Sequence, residues 1–96
     1  MNKYSTSALP ADVLKETASK LSQLRKGLSL TQAEIADRSG VSLGSVKRFE
    51  RSGKISLESF LKLLQIVGRL DEFSSLLEPL ENRKKIEKLF SDSTRR

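Results

Sequence analysis

Four glycines (Gly27, Gly40, Gly53 and Gly68) and Pro79 cut this chain into segments, each long enough for one short element. Within the segments apolar residues recur at three- and four-residue spacing, and none alternates with period two over the length of a strand. The pattern predicts an all-α fold of five short helices. Pro10 suits the first turn of a helix whose stripe is Val13, Leu14, Ala18, Leu21 and Leu24, and Gly27 ends it. Thr31-Gln32-Ala33-Glu34 is a capping box that starts a second helix carrying Ile35 and Ala36 and stopping at Gly40. Ser42 caps a third, with Val46 and Phe49 inward, broken by Ser52-Gly53. Ser56 caps a fourth, with Leu57, Phe60, Leu61, Leu64 and Val67 on one stripe, ended by Gly68. Asp71 starts a fifth, with Phe73, Leu76 and Leu77 inward, and Pro79 stops it. After Asn82 only Ile86, Leu89 and Phe90 give a charged segment an apolar face, which predicts a short C-terminal helical extension.

At 96 residues the chain has material for one core. The expected organisation is a flexible arm over 1–10, a helical domain over 11–80 and a basic extension over 81–96. With no Cys and no His, disulfides, thiolate or imidazole metal sites and a Ser-His-Asp triad are excluded. Ser59-Phe60-Leu61-Lys62 matches a Ser-x-x-Lys nucleophile motif, but its partner motifs are absent and Phe60 and Leu61 belong to a core stripe. No enzyme, cofactor or metal is therefore expected. Nothing reads as a signal peptide, and no apolar run approaches the roughly 20 residues that span a bilayer, so a soluble cytoplasmic protein without membrane partners is expected.

The net charge is +6. Residues 57–78 carry four acidic and two basic groups, whereas the segments on either side are basic. Such a balance suggests a polyanionic partner, because Lys and Arg gain by releasing counterions from phosphates.

The segment from Gln32 to Phe49 reads as a short helix, a sharp turn at Gly40 and a second helix from Ser42, the helix-turn-helix plan. Ala36 is small where the two helices cross, and Gly40 can take the left-handed conformation of the turn. Ile35, Val41, Val46 and Phe49 fall at core positions, leaving Ser42, Leu43, Gly44, Ser45, Lys47 and Arg48 facing outward. Leu30-Thr31-Gln32-Ala33-Glu34-Ile35-Ala36, Gly40-Val41-Ser42 and Val46-Lys47-Arg48-Phe49-Glu50 together resemble the Cro/cI-type (Xre) helix-turn-helix regulators, over roughly residues 12–78.

The resemblance implies double-stranded DNA as partner, with the start of the third helix in the major groove. Leu43, Gly44, Lys47 and Arg48 would face bases, and Gln32, Ser42, Ser45 and Lys54 would contact phosphates. It also implies a structural ion pair, Arg25 with Glu50, expected to be partly buried. Three positions depart from the family pattern. Gly44 stands where a base-reading side chain is usual, Leu43 offers only apolar contact, and Ser39 replaces an apolar residue. Direct readout therefore rests on Arg48 and Lys47, and phosphates and DNA shape carry a larger share. The leucines near the end of the fifth helix exceed what one small domain buries, so Phe73, Leu76, Leu77 and Leu80 are the expected homodimer interface. The function expected is sequence-selective DNA binding as a dimeric, autoregulatory repressor. The alternative is an antitoxin that also binds and neutralises a kinase-type toxin, since compact Xre proteins with a C-terminal extension resemble such antitoxins.

Overall fold

The computed structural model describes residues 9–79; Leu80, most of the expected arm and the whole of the expected C-terminal extension lie outside the described residues. The described chain is all-α: α1 Pro10–Gly27, α2 Gln32–Ser39, α3 Leu43–Ser52, α4 Leu57–Ile66 and α5 Leu70–Ser74. Helix α1 packs on α3, α2 packs on both α3 and α4, and α5 closes over α4. Phe49, Ile35, Leu63 and Val46 are fully buried at the centre, with Ala18 and Leu21 of α1 and Ala36 of α2 around them. An aromatic chain extends this core outward. Phe49 and Phe60 lie 5.7 Å apart between ring centroids, and Phe60 meets Phe73 edge-on at 6.0 Å.

Most of the helix boundaries follow from local chemistry. Thr31 accepts from the Glu34 amide at 3.0 Å, and the Glu34 carboxylate accepts from the Thr31 amide at 2.8 Å. The bond from the Thr31 amide, with that from its hydroxyl, holds the Glu34 carboxyl below its usual range. Ser42 and Ser56 cap α3 and α4 by accepting from Ser45 and Ser59.

Other details depart from the sequence expectation. Gly27 is the last residue of α1, but the left-handed position falls on Ser29 (φ 60°). The Ser29 amide donates to Lys26 and the Leu30 amide to Arg25, a Schellman closure that buries Leu30. On α1, Val13 and Leu14 remain exposed. On α4 the buried residues are Leu63 and Leu64, while Leu57 is exposed, so the stripe is rotated towards Leu63.

The largest correction concerns α5, which ends at Ser74. The hydroxyls of Ser74 and Ser75 donate to the Asp71 carbonyl, and that of Ser75 also to the Glu72 carbonyl, side-chain bonds that accompany the end of the helix. Phe73 packs against the core, but Leu76 and Leu77 do not turn inward; they are 57% and 89% exposed.

At Gly53 the end of α3 lies close against α1. The glycine is buried with φ 81°, and a Cβ there would lie 2.6 Å from the backbone of Leu14. Gly40 has nearly the same φ, 82°, but open space around it. Gly40→Ala should therefore lose only the left-handed strain, about 1–2 kcal/mol. Gly53→Ala should add an overpacking term and lose about 3 kcal/mol in all. Equal urea midpoints for the two variants would contradict the close approach.

Candidate nucleic-acid interface

Helix α2, the turn and α3 form a rigid unit whose outward side is polar and basic. Gly40 ends α2 in the left-handed conformation, its amide bonding the Ala36 carbonyl at 2.9 Å. Ser39, the departure from an apolar residue, stitches the turn. Its hydroxyl accepts from the Val41 amide at 3.1 Å and donates to the Ala36 carbonyl at 3.3 Å. Val41 is then buried, and α3 begins directly after Ser42.

On α3, Val46 and Phe49 are locked in the core, which sends Leu43, Gly44, Lys47 and Arg48 into solvent. Ser45 is half-buried, and its hydroxyl lies 2.8 Å from that of Ser42. No acidic residue occupies the first turn of α3, so nothing there offsets the partial positive charge of its N-terminus. Lys54 is exposed in the loop after α3, where its amide donates to Ser52 Oγ at 3.1 Å. Arg38 and Arg51 are exposed in the last turns of α2 and α3, and Arg51 shares the outward face of α3. Neither stood out in the sequence reading. The signal was present for Arg51, which lies three residues after Arg48 and four after Lys47, on the same helical face.

Behind this face, Arg25 and Glu50 form a two-pronged pair. Arg25 Nε donates to Glu50 Oε2 at 2.7 Å, and Arg25 Nη2 to Oε1 at 3.0 Å. Arg25 Nη1 donates to the Leu30 carbonyl at 2.7 Å, and Gln32 Nε2 to Glu50 Oε1 at 3.0 Å. One network thus ties α1, the loop after it, the start of α2 and the end of α3. The side chains of Arg25 and Glu50 are 9% and 10% exposed, more enclosed than the partial burial expected. Burial by itself would raise the Glu50 carboxyl, but hydrogen bonds from Arg25 and Gln32 and the Arg25 charge outweigh it and hold it below its usual range. An amide nitrogen has two N–H groups, so Gln32 keeps one beyond its bond to Glu50.

In the Ser-x-x-Lys motif, Lys62 pairs with Glu58 at 3.7 Å. Among the described residues no cluster of three or more His, Cys, Asp or Glu could hold a metal, and no helix is long and apolar enough to cross a membrane.

The helix-turn-helix family model matches residues 21–73, from the second half of α1 through α5. The match spans more than half of the chain, and the chain belongs to this helix-turn-helix family of Cro/cI (Xre) type. It is a DNA-binding transcription regulator. No curated protein matches the sequence.

Proposed function

We propose that the protein is a sequence-selective repressor that binds a palindromic operator as a homodimer and regulates its own promoter, with residues 11–80 as the DNA-binding unit. The observation that carries this reading is the outward face of α3: exposed Lys47 and Arg48 on a helix whose opposite side is fully buried. A helix fixed in this way delivers its side chains to base edges with little loss of order on binding. Arg48 and Lys47 read bases, with apolar contact from Leu43 and a close backbone at Gly44. Gln32, Ser42, Ser45 and Lys54 position the domain on phosphates.

Selection of duplex DNA from a random pool, repeated with variants, tests the division of labour. Arg48→Ala should cost about 1–3 kcal/mol on the selected site and flatten the preference at one base position. Gln32→Ala should weaken all sequences alike. An unchanged motif with Arg48→Ala removes that residue from base reading.

Dimerisation through Phe73, Leu76, Leu77 and Leu80 is supported by the exposure of Leu76 and Leu77, large apolar side chains remote from α3 in the chain. Two copies on half-sites about 34 Å apart would double the contacts of a reader with few base-specific groups. In sedimentation at micromolar concentration a dimer is expected, and Leu77→Lys should shift it to monomer. A wild-type mass near 10.7 kDa would discard the stable dimer. The antitoxin reading draws on the same two leucines, which would equally suit a protein partner. A kinase-type toxin gene beside this one, and co-purification of the two products, would favour it.

A further inference from the structure

The side chain of Gln32 is held by a carboxylate that is itself held. Gln32 is the half-buried first residue of α2, and its Nε2 donates to Glu50 Oε1 at 3.0 Å. The same oxygen accepts from Arg25 Nη2 at 3.0 Å, and Glu50 Oε2 accepts from Arg25 Nε at 2.7 Å. Arg25 is fixed in turn by its bond to the Leu30 carbonyl at 2.7 Å. Three N–H groups thus converge on two carboxylate oxygens, and a guanidinium tied down at a further point keeps that carboxylate in place.

An ionised carboxylate only accepts, whereas a glutamine amide has an accepting end and a donating end. Glu50 therefore decides which end of the Gln32 amide faces it. The oxygen would meet another acceptor, so the nitrogen takes that side. One of its N–H groups is engaged, and the second diverges from the carboxylate, free for a ligand that brings an acceptor. Leu43 and Gly44, at the start of α3, have no polar side-chain group that could do the same work. Among the described residues Glu50 is the hydrogen-bond partner of this amide. A free glutamine side chain loses rotamer entropy when it is fixed on a phosphate, and one already fixed is spared that loss.

We infer that Glu50 is a positioning residue for DNA binding: it turns and holds the Gln32 amide so that one N–H is presented to a backbone phosphate. This task is separate from the ion pair with Arg25. The inference rests on the proposed phosphate contact of Gln32 and adds the residue that prepares it.

A double-mutant cycle on the full chain tests it, with affinities measured for the duplex selected from the random pool and for variants Gln32→Ala, Glu50→Gln and both together. Glu50→Gln leaves one oxygen for three N–H groups and sets a new NH₂ group in the place of the other, so the Gln32 amide must turn or let go. The substitution also removes a negative charge, which by itself would strengthen binding to a polyanion. A loss of about tenfold is nevertheless expected, the order set by freeing one long side chain. With Gln32 already alanine, Glu50→Gln should bring no further loss, because no amide remains to be turned. A purely structural role would cost the same factor in both backgrounds. Binding that Glu50→Gln tightens or leaves unchanged, or losses that multiply, would overturn the inference and leave the Gln32 contact standing. A silent Gln32→Ala would take down the contact and the inference together. If Glu50→Gln does not fold, the wild type alone decides. In NMR spectra the Gln32 side-chain amide proton bonded to Glu50 should keep its shift as duplex is added, while its partner proton moves. Movement of the bonded proton, or of neither, would overturn the inference.

Discussion

Glu50→Ala is expected to lower the stability of the protein by about 3–5 kcal/mol, the range for stranding one partner of a buried ion pair. Arg25 would keep its bond to the Leu30 carbonyl but lose both carboxylate oxygens, at a site where its side chain is only 9% exposed. Gln32 would lose its partner at the same time. An exposed pair would be worth at most about 1 kcal/mol, so the urea midpoint separates the two cases clearly. The same carboxylate makes stability depend on pH. Its folded pKa lies below the ordinary value, so its contribution is complete above the unfolded pKa and is lost as pH falls through the folded one. Wild type should therefore weaken in acid below about pH 4, and Glu50→Gln should show a shallower loss over that range. An unchanged midpoint for Glu50→Ala would remove the network from the account of stability.

The second large effect is on binding. Affinity for duplex DNA should fall by about 10³-fold or more between 50 and 200 mM salt, as for a protein neutralising six or more phosphates. Lys47, Lys54, Arg38 and Arg51 are exposed on or beside α2 and α3, and two copies present enough cations for that number. Lys54→Ala offers a finer measurement, because each lost phosphate contact reduces the salt slope by about 1. A reduction near 2 would mean that two copies contact the DNA. A flat salt response, or no complex at low salt, would count against phosphate-driven binding.

How far the sequence disclosed this arrangement varied with how local the cause was. The capping box at Thr31, the turn at Gly40 and the caps at Ser42 and Ser56 depend on residues a few positions apart, and they were legible. The inward places of Val46 and Phe49 were legible too, because α3 has a single apolar stripe on an otherwise polar helix. Helix α4 was harder. With Leu57, Leu61, Leu63 and Leu64 it is apolar around much of its circumference, so periodicity alone could not say that Leu63 would be central and Leu57 exposed. At the early end of α5 two serine hydroxyls bond to backbone carbonyls, a local feature that apolar spacing does not register. At Gly53 the glycine was visible, but the reason for it was not. The collision that forbids a Cβ is with Leu14, and only the packing of α1 brings that residue near.

The bare position on α3 has an evolutionary side. A Cβ at Gly44 would meet nothing within 4 Å, and the residue has no left-handed backbone to protect. Almost any side chain could therefore be written there without disturbing the core, and most would strengthen the helix by up to about 1 kcal/mol. If Gly44 faces a base, as proposed, a single codon change could then install a new base preference on a scaffold that does not notice it. On that reading, a lineage of such proteins could follow an operator as it drifts, with no intermediate that fails to fold.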